Sequence, residues 1–167
     1  MRMQEAEEEQ QRLKALRGYD LLDTLPEPAF DALVQDAAAR FRAPIALMSL
    51  VDEDRQWFKA SVGLDATETP RSMSFCAHAI CGDGIFIVPD ALADARFSGN
   101  PLVTGNPKIR FYAGALIETC EGHRLGTVCV IDRIPRAEIS ADEREILKTL
   151  ATKAMTLIEA RKNSKTF

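Results

Sequence analysis

Residues 111–132 read FYAGALIETCEGHRLGTVCVID, and the fold turns on them. Two apolar runs, 111–120 and 124–132, flank Glu121 and Gly122, a pair that marks a turn. The spacing predicts an antiparallel hairpin. With a tight turn Cys129 comes opposite a residue near Leu116, several positions from Cys120, so these two thiols do not meet across the hairpin and read as structural.

Upstream, residues 90–108 hold Gly99, Pro101, Gly105 and Pro107. That is too long and too punctuated for a simple connection, and ordered loops of this length are often functional. Before it, Ile85 to Val88 form a short β-rich run stopped by Pro89. Residues 75–81 are a short apolar helical turn, with Ser74 as its cap and Gly82 as its stop. Further back, 45–51 and 56–62 are two strands joined by a turn at 52–55, a first hairpin. A helix beginning near Pro26 or Pro28 carries Phe30, Leu33, Val34, Ala37 and Phe41 at the spacing of one buried face, and ends before Pro44. Residues 4–17 have few apolar side chains and predict a largely exposed helix that needs a partner helix.

Downstream, Ser140 and Glu143 form a capping-box pattern. The helix it opens bears Ile146, Leu147, Leu150, Ala151, Ala154, Leu157 and Ile158 as a wide apolar stripe. Leu147, Leu150, Ala154 and Leu157 keep the 3-4-3 spacing of a short coiled-coil seam, beyond what packing on one sheet requires, although sheet packing alone reads as well. The acidic start of the first helix would complement the basic end of the last, Arg161, Lys162 and Lys165, if the two ran antiparallel. A homodimer through the terminal helices is the expectation. Two helices, a hairpin, a helix with a strand and long loop, a second hairpin and a final helix make an α+β layout, an antiparallel sheet with helices on its faces.

The 167 residues fit one domain with a sizeable core. Hydrophobic residues make up 46% and charged residues 28%, with no apolar run of the roughly 18–20 residues that a membrane helix needs. The N-terminus, Arg2 followed by Glu5, Glu7, Glu8 and Glu9, lacks the pattern of a secretory signal, so a cytoplasmic protein is expected. Four cysteines without paired C-x-x-C units argue for free thiols. A net charge of −4 without a basic cluster argues against a nucleic-acid partner.

Several motifs are familiar. Asp-Arg-Gln-Trp-Phe-Lys at 54–59, Ser-Phe-Cys-Ala-His-Ala-Ile at 74–80 and Arg-Phe-Tyr-Ala-Gly at 110–114 resemble the GAF domains that precede bacterial histidine kinase and diguanylate cyclase modules, and the likeness spans about residues 11–160. The resemblance implies a sheet of five to six strands, with the terminal helices (1–19 and 139–164) on one face and the short helix plus long loop over the other. It implies a non-enzymatic sensory module of two-component or cyclic-di-GMP signalling. A small molecule would sit between the sheet and residues 74–112, and dimeric terminal helices would pass the signal to a kinase or cyclase output. The chain ends at Phe167 without such an output, so it reads as a stand-alone regulator or an excised input domain.

The candidate ligand-binding residues are Phe75, Cys76, His78, Asp90, Arg96, Asn100, Arg110 and Tyr112. His78 lies on the helix expected to roof the sheet, where a neutral imidazole both donates and accepts, though a core or capping histidine reads as well. Cys76 and His78, two apart on a helix, do not form a nucleophile and base pair, and no catalytic residue is assigned. Alternation puts Arg110 and Tyr112 on one strand face, opposite Phe111, able to meet an anionic or polar ligand. The alternative is an ion pair of Arg110 with Asp90 or Asp94. Arg96 and Asn100, on the long loop, could close over a ligand or bond local backbone. Trp57 and Phe58, adjacent on a strand, face opposite sides and read as core.

Free methionine-(R)-sulfoxide reductases share this fold and use several cysteines. Cys81-Gly82 resembles one piece of their pattern, but no cysteine lies between Cys81 and Cys120. Bilin attachment would want a cysteine beside a histidine, and Ala77 separates Cys76 from His78. A metal site on His78 and Cys81 lacks further ligands apart from His123, on a distant turn. No phosphate-cradling glycine-rich loop for a cyclic nucleotide is evident. A protein-interaction module without ligand is the remaining alternative.

Overall fold

In the computed structural model, residues 3–164 are described; Arg2 and Lys165, invoked above for their charge, lie outside them. The elements run α1 (Met3–Gly18), α2 (Pro28–Phe41), β1 (Ile45–Val51), β2 (Arg55–Val62), β3 (Glu68–Pro70), α3 (Phe75–Ala79), β4 (Phe86–Val88), α4 (Pro101–Thr104), β5 (Phe111–Glu118), β6 (Arg124–Asp132) and α5 (Ala141–Ser164). One antiparallel sheet in the order β3-β2-β1-β6-β5-β4 organises them. The fold is α+β, a six-stranded sheet with helices on both faces.

Strand alternation creates two cores. Ala46, Met48, Leu50, Trp57, Ala113 and Val128 face α2 and α5. Ile45, Leu47, Phe58, Tyr112, Cys129 and Ile131 face α3 and the long loop. The adjacent Trp57 and Phe58 therefore enter different cores, as their parity requires.

The helix ends follow their local chemistry. Pro28 opens α2, and Arg42 closes it in the left-handed region at φ 49°. Ser140 and Glu143 cap α5 reciprocally, with Glu143 N donating to Ser140 Oγ (3.0 Å) and Ser140 N to Glu143 Oε1 (2.9 Å). Ser74 Oγ accepts from Ala77 N at 3.0 Å and so starts α3.

Four expectations change. Leu147, Leu150 and Ala154 are buried with Ala151 and Ile158 in the protomer's own core, so the 3-4-3 spacing serves packing on the sheet and α2. The terminal helices bring their C-terminal ends together: Arg161 Nη1 donates to Tyr19 O and Asp20 O, just past α1, and Tyr19 Oη donates to Glu159 at 2.6 Å. The acidic start of α1 is instead held by Glu9, which binds Arg12 and Arg71. In the second hairpin Cys129 pairs with Gly114, because the turn spans residues 119–123 and a register shift follows Ile117. Glu68 to Pro70, expected as loop, pair with Arg55 to Trp57 as a short edge strand that three residues could not announce.

Candidate functional site

Between the α3 face of the sheet and two loops lies a cavity of about 370 Å³. Ile45, Leu47, Phe58 and Ile131 supply its sheet wall, and Phe75 and Cys76 of α3 meet Tyr112 of β5 at its end. Leu102, Pro107 and Ile109 from the long loop and Leu64 from the loop after β2 complete the lining, and the exposed Gly63, Asp65, Ala66, Asn106 and Arg133 form the mouth. Gly63 is required there: its φ is +77°, and a Cβ would overlap the Pro44 carbonyl.

Two buried polar groups of residues sit against this apolar wall. Gln56 Oε1 accepts from Ser49 Oγ (3.1 Å) and Ser74 Oγ (2.7 Å), and its Nε2 donates to Thr69 Oγ1 at 2.6 Å. This ties β1, β2, β3 and the start of α3 together beside the cavity. Cys76 Sγ lies 3.2 Å from Tyr112 Oη and 3.1 Å from Thr127 Oγ1, and those two oxygens are 3.2 Å apart. Gly114 makes this triangle possible, because the Tyr112 ring lies over the space a Cβ at 114 would occupy. Phe75 stacks on Phe97 (centroids 4.1 Å) and on Tyr112 (5.4 Å), which fixes α3 against the loop.

Cys76 and Cys129 are both buried. Burial works against a Cys76 thiolate, but its polar neighbours, with Thr127 Oγ1 and Tyr112 Oη in hydrogen-bond reach, outweigh it and hold Cys76 below the ordinary thiol range. The neighbouring Cys76, together with burial, holds Cys129 well above the ordinary thiol range. Burial and the neighbouring sulfurs keep Tyr112 protonated.

Phe75, Cys76 and Tyr112 are thus brought together at the cavity. The other five candidates stand elsewhere. His78 is exposed, its ring edge-on to Phe97 at 4.8 Å, and partial burial followed by Arg96 lowers its pKa. Arg96 grips Asp94 through Nε and Nη2 and lies over Phe86 and Phe97 at 5.0 and 5.2 Å. Asp90 accepts from Leu92 N. Asn100 accepts from Leu102 N and donates Nδ2 to Met73 O, joining the long loop to the segment before α3. Arg110 stands one residue before β5. Its guanidinium donates to the Val103 and Ile109 carbonyls (2.9 and 3.0 Å) instead of pairing with Asp90 or Asp94.

Sequence reading passed over Gln56, Phe58, Leu102 and Ile131 as site residues. They carry no motif of their own, and only parity on the strands hinted that Phe58 and Ile131 share a face with Tyr112. Among the described residues no group of three or more His, Cys, Asp or Glu is placed to hold a metal, and no helix is long and apolar enough to cross a membrane. Cys81 and Cys120 are exposed.

A family profile described as GAF domain matches residues 25–158. The chain is 45% identical over 152 residues to a cyclic di-GMP phosphodiesterase of Pseudomonas aeruginosa, covering 91% of this chain but 26% of that protein. It therefore spans about a quarter of that relative's length. Among solved structures it resembles the GAF domain of an Acinetobacter phosphoenolpyruvate-protein phosphotransferase (TM-score 0.68, 16% identity, 100% and 99% of the two chains). It also resembles the free methionine-R-sulfoxide reductase of Neisseria meningitidis (TM-score 0.66, 16% identity, 88% and 87%). At these identities the structural likenesses establish the fold alone.

Proposed function

The chain belongs to the GAF domain family, and from that premise we propose that it is a non-enzymatic sensor holding a small molecule in the cavity between the sheet and the loops at 63–69 and 102–109. The observation that carries this reading is the cavity itself, about 370 Å³ with a buried apolar wall and an exposed mouth, the shape of a ligand site. Phe75, Cys76 and Tyr112 contact the ligand. His78, Asp90, Arg96, Asn100 and Arg110 act through the loop they brace. The signal leaves through α1 and α5 in a cytoplasmic homodimer and reaches an output that handles cyclic di-GMP or phosphorylates a partner. The similarity to part of a phosphodiesterase supports the first of these outputs.

Native mass spectrometry of the purified protein, followed by denaturation, tests the reading. The expected result is a small molecule released on denaturation, absent when Leu102→Trp fills the cavity from α4. A molecule retained by that variant would place the ligand elsewhere. Protein recovered empty in every preparation would favour an interaction module without ligand.

A further inference from the structure

Resting on that reading of the cavity, we propose that its ligand is a compact, uncharged, largely aromatic or aliphatic molecule with at most one weak polar group, and that anions, cyclic dinucleotides included, are excluded. A charge taken from water into an apolar site is tolerated only when it is paired and hydrogen-bonded. The inner wall offers no such pairing. Its aliphatic and aromatic members, Ile45, Leu47, Phe58, Ile131 and Phe75, carry no polar side-chain atom.

Its polar members are already engaged with the protein. Gln56 spends Oε1 on two serines and one amide hydrogen on Thr69. Cys76, Tyr112 and Thr127 satisfy one another. Among the described residues no buried side-chain nitrogen or oxygen lacks a partner. On the inner wall the capacity that remains is the second amide hydrogen of Gln56 and the hydroxyl hydrogen of Thr69, enough for one neutral acceptor, and at the mouth the exposed Asn106 amide adds uncharged groups only.

The charged groups of the lining, Asp65 and Arg133, stand exposed at the mouth with opposite signs, and Arg133 Nε already donates to Pro107 O at 3.0 Å. A ligand with two phosphates would meet one guanidinium and one carboxylate there. The volume, near the lower end of ordinary ligand cavities, holds a molecule of one or two rings rather than a dinucleotide.

The test measures binding of indole, indole-2-carboxylate and cyclic di-GMP to the full chain at pH 7 by isothermal titration calorimetry. Leu102→Trp and Ile131→Phe serve as independent cavity-filling variants, each checked for a cooperative melt. Indole is expected to bind saturably, to lose about tenfold or more in affinity in either folded variant, and to outcompete indole-2-carboxylate by about tenfold or more. Saturable binding of cyclic di-GMP, or binding of indole-2-carboxylate as tight as that of indole, lost in the same variants, overturns the ligand class while leaving the cavity as the site. Absence of binding by all three, or binding that both filling variants leave unchanged, overturns the cavity reading itself.

Discussion

Gly114 and Tyr112 show how one missing methyl group shapes the site. Both face α3 from β5, and the phenol ring lies along the strand over Gly114, which delivers its hydroxyl to Cys76 and Thr127. Gly114→Ala should cost about 1–3 kcal/mol through overpacking, more than Tyr112→Phe at about 1 kcal/mol, since Cys76 and Thr127 remain 3.1 Å apart and satisfy each other. Urea denaturation of the two variants checks the order, and equal costs would mean that the ring is not pinned. Lys59 raises a second question at this scale. Its side chain is 0% exposed, and Nζ donates to Thr24 Oγ1, Leu25 O and Glu27 Oε2, the last also held by Arg161. Glu27→Ala leaves a buried ammonium short of its counter-charge and should cost on the order of 2 kcal/mol, whereas Lys59→Met, which removes the charge and keeps an apolar stem, should cost less. Thermal melts at one pH separate the two.

Between elements, Glu9 ties α1 to Arg71, just after β3. Burial pushes the pKa of Glu9 up, but hydrogen bonds from Arg12 and Arg71, with their charges, outweigh it and hold it at about 2, against 4.5 ordinarily. A depressed folded-state pKa stabilises the fold above the unfolded value, so this contribution is complete above pH 4.5 and is lost as pH falls from 4.5 toward 2. Glu9→Gln should flatten the pH dependence of stability across that window and leave it unchanged near pH 7–8. A denaturation series from pH 7 to 2.5 measures it, and an unaltered slope in the variant would remove Glu9 as the anchor. Arg12 extends the same link by donating to Arg124 O, so α1 is fixed to β6 through charge while Leu13 and Leu16 supply its buried contact.

For the molecule as a whole, one sheet separates two kinds of core. The side under α2 and α5 is packed by aliphatic and aromatic side chains, with the buried Lys59 over Phe30 at its edge. The side under α3 is interrupted by the cavity and by hydrogen-bonded polar residues. Since the apolar stripe of α5 faces inward, a dimer through the terminal helices must use their outer surfaces, where Thr149, Thr152, Lys153 and Thr156 of α5 are exposed. Sedimentation at micromolar concentration should give a dimer that Thr152→Glu combined with Thr156→Glu weakens. A monomer throughout would end the dimer proposal, and a dimer indifferent to both changes would move the interface off α5.

Much of this architecture was legible without coordinates. The 111–132 run specified its hairpin, though not its register, through two apolar runs broken at Glu121 and Gly122, the Ser140–Glu143 spacing specified the start of α5, and strand parity sent Trp57 and Phe58 to opposite cores. These are consequences of periodicity and of hydrogen bonds between near neighbours, which sequence distance encodes. Only the tertiary structure decided which face of α5 was spent on the core, that Arg110 would turn to two backbone carbonyls, and that Gln56 and Ile131 would line the cavity beside Tyr112. Those outcomes depend on where non-neighbouring segments cross. No local pattern carries the register of one strand against another or the space left between a sheet and two loops.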